Sequence, residues 1–164
     1  MSDIIVNIFS KLSLEVATVL LATLPFTELR ASIPVAITVF GFSAIKATLL
    51  SFIGNIIPIF FILLFLPSIV RFAEKNSQLL KVFLDKYFRT LEKKYKYKYE
   101  KYGSIILFAF VAVPLPGSGV WTASILAVLF KIRPKYSIPS IIAGLFISAI
   151  LVLYITRGGI VLFT

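Results

Sequence analysis

The sequence predicts an all-α integral membrane protein with two inverted-topology repeats. Each repeat is a proline-broken re-entrant hairpin followed by a full transmembrane helix, and a basic amphipathic cytoplasmic helix joins them. Three observations carry this prediction. Mean hydropathy is +1.00, with 59% hydrophobic and 15% charged residues, a balance typical of membrane chains rather than soluble domains. Charge-free runs are long enough to cross a bilayer, and prolines interrupt the other apolar stretches at corresponding places in two halves.

The full spans come first. Ala47 to Val70 and Tyr136 to Thr156 contain no charged residue, and each meets the roughly 20 residues needed to cross about 30 Å of hydrocarbon. Val16 to Leu24 and Val35 to Phe40 are too short to cross alone, and both flank the charged segment Pro25 to Pro34. Short arms around a broken centre read as a re-entrant hairpin. Tyr102 to Phe130 is uncharged, but Pro114-Leu115-Pro116-Gly117-Ser118-Gly119 falls in its middle. Two prolines remove amide donors and two glycines permit positive φ, so a second hairpin is expected in place of a continuous helix.

Charge parity separates that hairpin from a single kinked span. Arg71 to Lys101 carries ten Lys/Arg against four acids, which puts the linker 71–102 in the cytoplasm. A hairpin over Tyr102 to Phe130 keeps Lys131, Arg133 and Lys135 on that side, whereas a single crossing would put them outside. Both termini then fall on the outer side of the cell membrane. The organisation is one membrane domain: repeat 1 over 1–70, the linker over 71–102, and repeat 2 over 103–164. The first repeat opens with an N-terminal interfacial helix, on which Lys11 and Glu15, four apart, are most simply an exposed pair. The acidic start of the chain is unlike a cleaved signal peptide.

Sliding the chain by 89 residues lays Pro25 on Pro114 and Ser51 on Ser140, and one further residue of slip lays Gly54 on Gly144. In the linker, Leu80, Phe83, Leu84, Tyr87, Phe88, Leu91, Tyr95, Tyr99 and Tyr102 recur mostly at steps of three or four. That pattern suits a helix lying on the cytoplasmic leaflet with its tyrosines at headgroup depth.

Composition also excludes chemistry. The chain has no Cys and no His, so thiolate, disulfide and imidazole chemistry are absent. No nucleophile stands beside a base at a recognisable spacing, no metal-ligand spacing occurs, and neither enzyme activity nor a cofactor is expected. The net charge of +10 sits beside apolar spans, so anionic lipid is the expected partner and nucleic acid is not. A homodimer is expected, because re-entrant backbone needs neighbours to cover it.

Glu28 and Arg30 mark the expected substrate path. An ionised side chain at mid-bilayer costs roughly 2.5 to 3.5 kcal/mol on insertion scales, so such groups persist where they pair or face a wet cavity. Residues i and i+2 lie about 200° apart on an α-helix, so pairing of Glu28 with Arg30 favours irregular backbone there. Pro25 and Pro34 disfavour helix at Leu24 and Ile33. Arg30 has the fork that holds a phosphate or carboxylate, and Glu28 can exchange a proton. Pro114, Pro116, Gly117, Ser118 and Gly119 form an uncharged second tip with backbone N–H groups for the same anion. Asn55 beside Gly54 offers a polar contact or close packing, and Trp121 an interfacial anchor or a stacking wall. The plainer alternative is a permanent Glu28–Arg30 ion pair holding hairpins together.

Leu24-Pro25-Phe26-Thr27-Glu28-Leu29-Arg30-Ala31-Ser32-Ile33-Pro34, Gly54-Asn55 and Val113-Pro114-Leu115-Pro116-Gly117-Ser118-Gly119-Val120-Trp121-Thr122 resemble the small multidrug export protein family, a distant relative of the DedA (VTT) membrane proteins. The resemblance spans nearly the whole chain. It implies two inverted repeats with re-entrant hairpins and, by the DedA analogy, movement of lipids between leaflets. Hairpin charges do the work in that group, and here only Glu28 and Arg30 match, since the second hairpin has none. The resulting expectation is a transporter or scramblase for an amphiphile with an anionic headgroup, a phospholipid or a lipid-linked phosphate. The alternatives are a cation or multidrug exporter, and a membrane scaffold acting through the basic linker.

Overall fold

The computed structural model describes residues 13–76, 78, 82, 84–86, 88–91, 93, 103–114 and 117–163. The N-terminal segment with Lys11, and Leu80, Phe83, Tyr87, Tyr95, Tyr99 and Tyr102 of the linker, lie outside the described residues. The helices with described ends are α1 (Leu14–Thr23), α2 (Glu28–Thr38), α3 (Ala44–Asn76), α4 (Ser104–Ala112), α5 (Val120–Leu129) and α6 (Pro134–Phe163), and no strand occurs among the described residues. In the linker, Leu84, Phe88 and Leu91 are helical. Two helices are long and apolar enough to cross a membrane, over Ala44–Phe72 and Pro134–Gly159. The chain divides into two compact units, Met1–Ile57 with Ala149–Thr164, and Pro58–Ser148.

In the first unit, Ser13 caps α1 by accepting a hydrogen bond from the Val16 N–H. The helix stops where Leu24 turns extended (φ −74, ψ 144), the conformation that a following proline favours. A short turn then leads into α2, and the Thr27 hydroxyl ties it back by donating to the Leu21 carbonyl. The two helices pack against each other as a hairpin.

Gly54 brings α1 onto α3. A β-carbon there would lie 2.5 Å from the Val19 carbonyl oxygen and 2.7 Å from the Ala22 side chain, so only glycine permits this approach. Pro58 lies one turn further on and has no N–H to give the Gly54 carbonyl. The Thr23 hydroxyl lies 2.8 Å from the Val19 carbonyl and 3.1 Å from the Gly54 carbonyl, so its one proton is shared between its own helix and the carbonyl that Pro58 leaves without an amide.

The N-terminal half of α3 is inside out relative to a soluble helix. Ile45, Leu49, Ile53 and Ile57, at steps of four, are exposed, while Ala47, Ser51 and Asn55 are fully buried. An apolar stripe turned outward over a polar interior fits hydrocarbon as the surroundings.

The second unit repeats the glycine contact. A β-carbon on Gly144 would lie 2.6 Å from the Phe108 carbonyl oxygen and 2.9 Å from the Val111 side chain. Phe108 and Val111 stand 89 residues after Val19 and Ala22, and Gly144 stands 90 after Gly54. α5 ends with Ile132 N–H donating to Ala127 O and Lys131 N–H to Val128 O, a Schellman closure that holds Lys131 at φ 53. α6 then starts at Pro134, a first-turn position where the missing N–H has no consequence.

Two local expectations change. Ile33 stays helical before Pro34, which lies inside α2. The proline leaves only the Arg30 carbonyl without its amide, a loss that packed membrane helices accommodate. The helices also outrun the charge-free runs, and α3 carries Arg71 and Lys75 beyond Val70. The charge-free run is the part apolar enough to cross a membrane, while the helix itself continues past it.

Candidate functional site

Glu28 is the first residue of α2 and is 6% exposed. Its N–H donates to the Leu24 carbonyl at 3.1 Å, and its backbone stands at φ 44, in the left-handed region. A residue with a β-carbon in that region costs on the order of 1–3 kcal/mol, which the surrounding structure must offset. Burial and strain thus fall on the one carboxylate of this segment.

That strain also changes the geometry of the charged pair. The i, i+2 separation applies when both residues have right-handed helical dihedrals, and Glu28 opens α2 at positive φ. Arg30 follows two residues on and is partly buried. Irregular backbone is therefore confined to the turn and Glu28, with Arg30 already on the helix. Pro25 is exposed in the turn, and Pro34 lies at mid-helix.

Further polar groups belong to the same unit. Asn55 is fully buried, and its Nδ2 donates to the Ser51 carbonyl at 3.0 Å. Its Oδ1, together with the buried hydroxyls of Ser32 and Ser51, has no hydrogen-bond partner. Ser32 and Ser51 were not among the sequence candidates. Ser51 precedes Asn55 by four and Ser32 follows Glu28 by four, so a search for polar residues one helical turn from each candidate finds both. Glu15 pairs with Lys46 at 2.6 Å, and the Lys46 ammonium sits 4.2 Å from the Phe42 ring centre.

The second tip belongs to the other unit. Pro114 and Ser118 are partly buried, and the Ser118 hydroxyl donates to the Val113 carbonyl at 2.9 Å. Gly117 at φ 78 and Gly119 at φ 132 make the turn that leads into α5, whose start has no side-chain cap. Trp121 is partly buried on the first turn of α5. Leu115 and Pro116 lie outside the described residues.

A protein-family model described as "Putative small multi-drug export protein" matches residues 28–151, about three quarters of the chain. The chain belongs to this family. The match begins at Glu28 itself and takes in α2 to α5 with most of α6, so the multi-drug export family model covers Glu28, Arg30 and the second hairpin's tip. Its description gives the chain a coarse transport role, and the two long apolar helices make it a membrane protein. No curated protein and no solved structure matches the chain.

Proposed function

We propose that this protein is a membrane transporter that passes an amphiphile with an anionic headgroup, a phospholipid or lipid-linked phosphate, between leaflets. The observation that carries the reading is Glu28: a carboxylate buried in strained backbone beside a half-buried arginine, in a member of a transport family. Arg30 is the more accessible of the two and has the fork that matches a phosphate. Glu28 stands behind it as the group that releases Arg30 when protonated and holds it when ionised. Ser32, Ser51 and Asn55 add hydrogen-bonding capacity for a polar headgroup or the water that follows it.

The glycine contacts support two repeats. Buried positions also correspond: Leu29, Ser32, Ile33 and Ala36 lie 91 residues before Val120, Ala123, Ser124 and Ala127, and all eight are buried. With one crossing between them the repeats are inverted, the linker 71–102 is cytoplasmic and both termini are outside, as the basic residues favour. Each hairpin is re-entrant in this topology, and a dimer with bound lipid covers its backbone.

The family description favours a second reading, drug export, in which Glu28 would serve as the binding charge for cationic drugs. Reconstituted vesicles separate the two. Transfer of a labelled anionic phospholipid, lost in Arg30→Ala and only slowed in Glu28→Gln, supports the first reading. Cation efflux lost in Glu28→Gln and retained in Arg30→Lys supports the second, and lipid transfer unchanged by both hairpin substitutions refutes the first.

A further inference from the structure

Arg71, Lys131 and Arg133 line one cavity of about 450 Å³ in the second unit, and among the described residues that line it none is acidic. The facing wall is apolar, with Leu63 and Pro67 of α3 and Val128 of α5. A cluster of three cations against a hydrocarbon wall has the two-part chemistry of an anionic lipid.

Each cation is held there by local structure. The Arg71 Nε donates to the Pro67 carbonyl at 3.2 Å, which turns the guanidinium back along α3 and uses one of its five N–H groups. Arg71 stands at the end of the apolar span Ala44–Phe72, the depth at which phosphates lie. Arg133 precedes α6, and its carbonyl accepts from Tyr136 and Ser137, so the helix start adds its own partial positive charge beside it.

Lys131 is the most telling of the three. It occupies the left-handed position of a Schellman closure, where glycine is the usual residue because it has no β-carbon. The matching position after α2, ninety residues earlier, is Gly41 at φ 70. A lysine accepts a conformational cost here that the first hairpin avoids.

We propose that this cavity binds the phosphate of an anionic phospholipid, with the headgroup on Arg71, Lys131 and Arg133 and an acyl chain along Leu63, Pro67 and Val128. By the positive-inside rule it opens to the cytoplasmic leaflet, where anionic lipid is drawn to basic clusters. The apolar wall argues for a lipid over free phosphate. No residue of the Glu28 reading takes part, so this site stands or falls independently of it.

The test uses the full-length protein in a neutral detergent, with native mass spectrometry for retained lipid and a thermal melt for stability. Phosphatidylglycerol is expected to stay bound and raise the melting temperature, while phosphatidylcholine and inorganic phosphate do neither. Loss of each cation is expected to weaken phosphatidylglycerol retention about fivefold. Lys131→Gly separates binding from folding, because it removes the charge while relieving the backbone: retention falls, yet the lipid-free melting temperature holds or rises. Lys131→Gln, which keeps the backbone strain, shows the same loss of retention, and Arg71→Gln/Arg133→Gln shows a larger one. Equal retention by wild type and these variants overturns the site. Equal retention of phosphatidylcholine, or equal stabilisation by inorganic phosphate, overturns the anionic-lipid assignment.

Discussion

The two hairpins use left-handed backbone at matching places and occupy it with opposite residues. At the first tip Glu28 stands at φ 44, and Gly41 makes the turn after α2; at the second tip Gly117 and Gly119 make the turn, and Lys131 stands at φ 53 after α5. Among the described residues, Glu28 and Lys131 are the non-glycine residues at positive φ. Glycine would be cheaper at both places. Where a charge stands in its stead, the conformation argues that the charge has work to do: the carboxylate beside Arg30 in the first hairpin, the ammonium in the basic cavity of the second.

A further difference concerns backbone repair. In the first half Pro58 of α3 deprives the Gly54 carbonyl of its helical amide, and the Thr23 hydroxyl of α1 reaches that carbonyl. The corresponding residues of the second half are Ser148 of α6 and Ala112 of α4. The proline on the long helix and the hydroxyl on the hairpin arm are thus both present in one half and both replaced in the other, as expected if one compensates for the other.

The largest expected effect would test whether the hairpins pack alike. Gly54→Val and Gly144→Val each drive a side chain into a helix carbonyl, and each should cost roughly 1–3 kcal/mol or prevent folding, read as yield and melting temperature in detergent. Gly158→Ala, with nothing within 4 Å of its added carbon, should leave both unchanged or slightly improved. Loss in one hairpin alone would break the comparison. Next, Thr23→Val should cost about 1–3 kcal/mol by orphaning a carbonyl, and Pro58→Ala in the same chain should recover most of it by restoring the amide. Additive effects would sever the proposed compensation.

The left-handed positions give a smaller, reciprocal pair. Gly41→Ala should destabilise by about 1 kcal/mol, whereas Glu28→Gly should stabilise by a similar amount while transport slows as it does in Glu28→Gln. A more stable yet slower Glu28→Gly would show that the strain is kept for the carboxylate. The smallest effect belongs to the exposed Glu15–Lys46 pair, with side chains 43% and 45% accessible: Lys46→Met should leave the melting temperature close to that of wild type.

The helical class and the two long apolar helices were legible because charge-free runs report directly on hydrocarbon. Gly54 and Gly144 were visible as a sequence coincidence, but their contacts with Val19 and Phe108 are properties of packing. The special backbone of Glu28 was not legible, since nothing in Thr27-Glu28-Leu29 calls for positive φ. Pro34 misled for the opposite reason: a rule about free backbone was overridden by a packed helix that tolerates one missing amide. Ser51 was visible only as a repeat partner of Ser140 and not as a site residue, because serine in an apolar helix has no signature until its burial is seen. The Glu15–Lys46 pair lies 31 residues apart in sequence, beyond the reach of helical spacing.

Transfer of a labelled anionic phospholipid across vesicles containing the purified protein tests the central claim most directly. Wild type should transfer it; Arg30→Ala should reduce the rate at least about tenfold, equivalent to about 1.4 kcal/mol; and Glu28→Gln should slow it and flatten its dependence on pH. Folded protein that transfers lipid at the wild-type rate with both substitutions would contradict the account.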